Sequence, residues 1–268
     1  MKRQYSLAHL TALELSPPEL VAVAARCGYD FVGLRLIPVG AADEPIYPLA
    51  SDRALLARTK AELQATGVGL LDIEVARIRR EAAPVDYLPA MEVTAELGGR
   101  HVLTSAWCEG REFIQDFFEG LCDLAQPLGL TVDIEFVTWS AVSSLAAAAA
   151  IVAAAHRSNG GIVIDTLHLD RSQEQLPGIS TLPPEWFRFV QVCDAPGEYS
   201  RDQDELIRIG RCARLYLGEG GIDVASMLRR LPHVPLSLEI PHLERLAALG
   251  PERYALRCLE TARSYLAD

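Results

Sequence analysis

Four residues spread over the second half of the chain could together grip a cation: Glu135, Asp165, Gln191 and Glu239. Each stands at or near the end of a strand-like run: Thr131 to Phe136, Gly161 to Ile164, Phe187 to Cys193 and Pro235 to Ile240. Three carboxylates and one amide oxygen make a hard, oxygen-only donor set. That set favours Mn²⁺, Mg²⁺ or Co²⁺ over a thiol-seeking ion, with zinc a further option. Without a cation, the crowded carboxylates would repel one another and raise one another's pKa. Each acid taken singly could instead cap a helix or pair with an arginine. Four on consecutive strand ends point to one divalent ion.

These ends meet only if the strands close around a common axis. Strand-like and helix-like segments alternate along the whole chain. Strands are expected at Tyr5–Leu10, Phe31–Leu36, Val68–Val75, His101–Ser105, Thr131–Phe136, Gly161–Asp165, Phe187–Cys193 and Pro235–Ile240. The run Gly161 to Ile164 is apolar or small throughout, which suits a strand buried on both faces. Ser16-Pro17-Pro18-Glu19 opens a first helix as a capping box, and Gly28 stops it. Ser51 caps a second helix, running to about Thr66. Further helices are expected at Pro84–Leu97, Arg111–Pro127, Ser140–His156, Gln203–Cys212, Ile222–Leu231 and Pro251–Leu266; the alanine run 146–150 packs close to the wall. After the sixth strand, Ser172–Pro184 reads as loop with at most a short helix. Eight βα units in 268 residues predict an α/β protein, a single (β/α)8 TIM barrel over residues 1–268, with its chemistry at the C-terminal ends of the strands. No GxGxxG follows the first strand, and Gly218-Glu219-Gly220 is too late and too acidic to be a dinucleotide loop.

Composition narrows the function. The net charge of −11, with no basic stripe, argues against a nucleic-acid partner. No run of eighteen apolar residues exists, so no membrane span is expected. The N-terminus shows no signal-peptide pattern, and six cysteines are scattered without CxxC spacing, as small fillers in a reducing cytoplasm would be. A cytoplasmic location is the expectation.

The motifs Val132-Asp133-Ile134-Glu135, Ile164-Asp165-Thr166-Leu167-His168, Val190-Gln191-Val192-Cys193-Asp194, Leu217-Gly218-Glu219-Gly220 and Leu238-Glu239-Ile240-Pro241 carry a resemblance over essentially the whole chain. The sequence resembles the sugar phosphate isomerase/epimerase superfamily. These are the xylose isomerase-like barrels, which include inosose dehydratase and 3-dehydroshikimate dehydratase branches. The resemblance implies that Glu135, Asp165 and Glu239 ligate one divalent metal. The position of Gln191 is most often His in the family, but Gln occurs in some members, dehydratases included. A homo-oligomer is also implied, although no stretch identifies an interface.

Such a metal would grip a carbonyl and an adjacent hydroxyl of a small polyhydroxy carbonyl substrate, while a carboxylate removes the α-proton as general base. The first reading is therefore an isomerase or epimerase working through an enediolate. In it Glu135 and Glu239 shuttle the proton, and His168 binds the oxygen where charge accumulates or assists a leaving hydroxyl. The second is a lyase of the 3-dehydroshikimate dehydratase kind, supported by Gln191 and His168. The third is a barrel that binds a ligand without turnover. Endonuclease chemistry is disfavoured, because it needs a histidine-rich multi-metal site and the six histidines are dispersed. By the same resemblance Arg35 and Glu74 contact substrate, or else form a structural ion pair. His9 and Trp107 line the mouth or simply pack, and Phe136 and Trp139 could wall a ring face. Glu219 faces the same end, and Arg211 or Arg214 could reach an anionic substrate. The arginine that epimerases carry shortly after the strand-seven ligand has no clear match: Gly197 falls there, and Arg201 is nearby.

Overall fold

The computed structural model describes residues 2–40, 44–174, 176–198 and 202–267; Arg201 lies outside them. In chain order the elements are β1 (Tyr5–Leu7), α1 (Pro17–Cys27), β2 (Phe31–Arg35), α2 (Arg53–Thr66), β3 (Gly69–Ile78), α3 (Leu88–Glu96), β4 (His101–Ala106), α4 (Arg111–Ala125), β5 (Thr131–Glu135) and α5 (Leu145–Ala155). They continue with β6 (Gly160–Asp165), α6 (Thr166–Arg171), β7 (Val190–Val192), α7 (Gln203–Cys212), α8 (Val224–Leu228), β8 (Leu236–Leu238), α9 (Leu243–Leu249) and α10 (Pro251–Leu266). The eight strands close in sequence order into a barrel, and β1 pairs parallel with both β2 and β8. Among the described residues no helix is long and apolar enough to cross a membrane. All six cysteines are free thiols.

Local chemistry sets the helix starts. The Glu19 carboxylate accepts from the Ser16 backbone N–H at 2.8 Å and from its hydroxyl, so the first turn of α1 is closed. For α2 the cap is Asp52 rather than Ser51: its Oδ1 accepts from the Leu55 N–H at 2.9 Å. The alanine-rich α5 starts at Leu145, five residues later than the pattern suggests, because the Ser144 side chain accepts from Ala147 and fixes the start there. Two helices were not expected: α9, and the six-residue α6 that follows β6 directly. The first strand stops at Leu7, and residues His9–Ala12 form a 3-10 turn.

The core has two shells. Apolar outward faces of the strands pack against the helices, and a smaller cluster of Phe31, Leu71, Val75, Leu103, Val163 and Phe189 fills the barrel interior. Alternation along each strand sends every second residue inward. On β5, Thr131, Asp133 and Glu135 therefore share one face. Asp133 sits at the closed end, where Arg188 Nη1 donates to it at 2.6 Å. The Thr131 hydroxyl also donates to Asp133, at 2.6 Å, so toward His101 Nδ1 (2.8 Å) it can only accept.

The polar excursion after β7 returns to the barrel by a carboxylate clamp. Asp194 Oδ2 accepts from the N–H groups of Gly218 (3.0 Å) and Gly220 (2.9 Å), and Oδ1 from those of Ala195 (2.8 Å) and Ile222 (3.0 Å). A Cβ at Gly220 would stand 2.1 Å from the Ala195 carbonyl oxygen, so no larger residue fits. We expect Gly220→Ala to cost about 1–3 kcal/mol in urea unfolding, the range for overpacking a tight site.

Burial lowers the His101 imidazole to about 4, against the partly opposing pull of Asp133. The unfolded ring takes up its proton near pH 6.5 and the folded ring only near 4. The unfolded chain thus binds more protons between those values. This contribution to stability is complete above about pH 6.5 and is lost as pH falls toward 4. His101→Asn should reduce the slope of unfolding free energy against pH in that window by up to about one proton, ~1.4 kcal/mol per pH unit.

Candidate active site

The C-terminal ends of the strands surround a cavity of about 280 Å³ whose lining includes Arg35, Glu74, Trp107, Glu135, Trp139, His168, Arg214 and Glu239. Its floor is built from the ends of β5 to β8. Asp165 and Gln191 are register partners across β6 and β7, and Glu239 follows β8 directly. Asp165 caps α6 and serves the floor at once. Its Oδ1 accepts from the Leu167 and His168 N–H groups at 2.7 and 3.2 Å, while Oδ2 takes Arg214 Nη1 at 2.5 Å.

Arg214 organises this floor. It is buried, and its Nη2 lies 2.9 Å from Glu239 Oε2 while Nη1 holds Asp165. Its backbone is fixed from two sides: its own N–H donates to the Pro241 carbonyl at 3.0 Å, and the adjacent Leu215 bridges Asp194. The expectation that Arg214 reaches an anionic substrate is therefore corrected, since its guanidinium is committed to two floor carboxylates. No sequence pattern announces this contact, because the residue is brought back by the long excursion after β7.

The electrostatics of the floor follow from burial. Glu135 is pushed well above the usual carboxylate range, first by burial and then by Glu239 and Asp165. Glu239 is raised for the same leading reason, although Arg214 opposes it. At Asp165 burial also pulls upward, but Arg214, His168 and hydrogen bonds outweigh it and hold the carboxyl low. Once ionised, three carboxylates against one guanidinium leave two negative charges, which is what a divalent cation would neutralise. Of the expected donors, Glu135 and Asp165 come together with His168, each able to bring a ligand atom within 4.8 Å of the others, whereas among the described residues Glu239 joins no such group. Gln191 Nε2 donates to Glu239 Oε1 at 3.1 Å, leaving its own Oε1 buried with no hydrogen-bond partner. An orphaned buried acceptor facing carboxylates is costly unless a cation or donor meets it.

His168 sits in α6, with Nδ1 accepting from the Thr138 N–H at 3.4 Å and Nε2 3.9 Å from Glu135 Oε1. Burial lowers its pKa to about 4, so the ring is neutral and carries its proton on Nε2, toward the cavity. The edge of Trp139 packs against it at 4.7 Å between centroids.

The other expected contacts divide. Arg35 and Glu74 line the cavity but bind each other, Nη2 to Oε2 at 2.5 Å, as the ion-pair alternative foresaw. Trp107 lines it too, its Nε1 donating to Ser105 Oγ at 2.9 Å. His9 is not brought to the cavity: it is fully buried, Nδ1 accepts from the Arg35 N–H at 2.9 Å and Nε2 reaches the Leu15 carbonyl at 2.8 Å. Glu219 is exposed and pairs with Arg245 at 2.6 Å, because its turn is shaped by Asp194 and not by the cavity. Phe136 is buried in the outer core.

A family model described as xylose isomerase-like TIM barrel matches residues 21–261. The chain belongs to that family. Among solved structures, the IolI protein, crystallised with a zinc atom, superposes with a TM-score of 0.81 at 20% identity, covering 98% of each chain. A D-allulose 3-epimerase from Methylomonas sp. gives 0.72 at 17% identity, over 98% of this chain and 97% of that one. In sequence, 132 residues are 32% identical to a 3-dehydroshikimate dehydratase of Pseudomonas aeruginosa. That match covers 47% of this barrel and spans only 20% of the dehydratase's own length.

After dialysis against Mn²⁺ and gel filtration, we expect about one ion per chain for the wild-type barrel. Asp165→Ala should weaken retention by more than ~100-fold, beyond what loss of a supporting residue costs. Elemental analysis of the two proteins side by side checks this.

Proposed function

We propose that this barrel is a divalent-metal-dependent lyase that dehydrates a small polyhydroxy carbonyl compound, using Glu135 as its single proton-transfer base. The observation that carries the reading is an asymmetry between two carboxylates. Both oxygens of Glu239 are engaged, Oε1 by Gln191 and Oε2 by Arg214, whereas among the described residues no hydrogen-bond donor reaches Glu135. Epimerisation by opposed bases needs two free carboxylates, and a dehydration through an enolate needs one. Sequence similarity to a dehydratase across 47% of the chain supports the same choice, as does Gln in place of His at residue 191.

Glu135, Asp165, Gln191 and Glu239 would hold the ion, and zinc bound by the similar IolI protein is consistent with a divalent occupant. Such an ion supplies Lewis-acid polarisation of a carbonyl. The chain's own residues do the rest. Glu135 takes the proton from the carbon next to the carbonyl, its burial strengthening it as a base. His168 keeps its proton and offers a hydrogen bond from Nε2–H to the departing β-hydroxyl on the same side. Glu135 then returns the proton to that oxygen, so water leaves as the carbon–carbon double bond forms. Trp139, beside His168, walls the cavity against bulk water.

Mn²⁺-loaded protein incubated with 3-dehydroshikimate should develop the ultraviolet band of an aromatic product. His168→Asn should lower kcat by ~10²–10⁴ without loss of metal. A flat spectrum, together with solvent deuterium entering a ketose at an inverted carbon in D₂O, would replace this reading with the epimerase one.

A further inference from the structure

Four arginines line the cavity, and two of them are already spent. Arg214 holds the floor and Arg35 holds Glu74. The other two lie together. Arg77, on β3, is half-buried: its Nη1 donates to the Val39 carbonyl at 3.1 Å, while its Nε is buried with no hydrogen-bond partner. Its guanidinium lies over the Trp107 ring, 4.3 Å from the centroid, which fixes the plane it presents. Arg211, in the last turn of α7, lines the same cavity, and among the described residues no ion pair or hydrogen bond engages its guanidinium. The two are close enough that Arg211 adds to the burial that lowers Arg77 to about 10.

Acids near this end are already engaged. Glu44 Oε2 accepts from the Val39 and Gly40 N–H groups, both at 2.8 Å, and its Oε1 faces Arg35 Nη1 at 3.6 Å. Arg35, Arg77 and Arg211 against Glu44 and Glu74 leave one positive charge. The floor once ionised carries two negative charges, so the cavity is polarised, with room for a cation at one end and a monoanion at the other. Trp107 holds the plane of the Arg77 fork, which can pair bidentately with a carboxylate, and a carboxylate's single negative charge matches the one positive charge left at this end.

We infer that Arg77 and Arg211 form a subsite for a substrate carboxylate, so that the compound bound is a polyhydroxy keto acid and not a neutral sugar. This rests on the reading above, in which the floor holds the cation and the substrate carbonyl.

The test compares 3,4-dihydroxybenzoate with 3,4-dihydroxybenzamide by calorimetry on the Mn²⁺-loaded protein. The two share a ring and a metal-chelating diol and differ in the carboxylate alone. The acid should bind at least about tenfold tighter. Arg211→Gln, an exposed position, and Arg77→Gln should each bring the two ligands within about threefold while affinity for the amide stays as in wild type. Equal affinity in wild type, no binding of either ligand, or a preference that survives Arg211→Gln would each overturn the assignment. Displacement of the acid by inorganic phosphate more readily than by acetate would do so as well, by making the subsite one for phosphoryl groups. Failure of the dehydratase reading looks different: the carboxylate preference persists but no aromatic product forms from 3-dehydroshikimate.

Discussion

Three carboxylates buried at one end of a barrel cannot be ionised together without an internal counter-charge, and Arg214 provides the first part of it. Its fork joins the end of β6 to the end of β8, holding Asp165 and Glu239 at once. Removing either partner from a buried pair of this kind strands a charge and costs several kcal/mol. The guanidinium therefore does more than hold two strands together. It fixes which carboxylates are tied and which is left without a donor, and it leaves the floor, once ionised, two charges short of neutrality.

That arrangement depends on backbone placement far from the floor in sequence. Arg214 is held through its own N–H to Pro241 and through the Asp194–Leu215 bridge. Asp194 also gathers the N–H groups of the Gly218–Ile222 turn, so one carboxylate that never faces the cavity sets the position of a guanidinium that does. On α7, Gly210 allows Trp139 to approach where a Cβ would meet its ring at 2.4 Å, and that keeps Trp139 against His168.

The fold was legible in the sequence because alternating short apolar runs and capped helices repeat eight times, and such a rhythm closes as a barrel. Strand ends were legible for the same reason: Glu135, Asp165 and Glu239 each terminate a run whose interior must be apolar. For Asp165 both structural alternatives, helix cap and arginine partner, are present in its geometry, since one oxygen serves α6 and the other serves Arg214. What could not be read was non-local. Arg214 reaches the floor only because a long excursion folds back, and His9 is consumed by Arg35 and Leu15, contacts that no spacing encodes. Helix α6, at six residues, is too short to show a period, so no spacing announces the helical turn in which His168 sits. Glu219 was misjudged because a glycine-flanked acid looks poised for a ligand, whereas those glycines make room for Asp194 and Ala195.

The Asp194 clamp and the Arg214 anchor pin the two ends of the segment that follows β7, and between them Gly210 is tied to the floor, its carbonyl accepting from Arg214 Nε at 2.7 Å. That segment, including α7, contributes Gly210, Arg211 and Cys212 to the cavity wall. In evolutionary terms the barrel separates a floor of interlocked ionisable groups from a wall supplied by a returning segment. A change in what the cavity admits would be written in that wall, at Arg211 or Cys212, with Asp165, Gln191 and Glu239 left as they are.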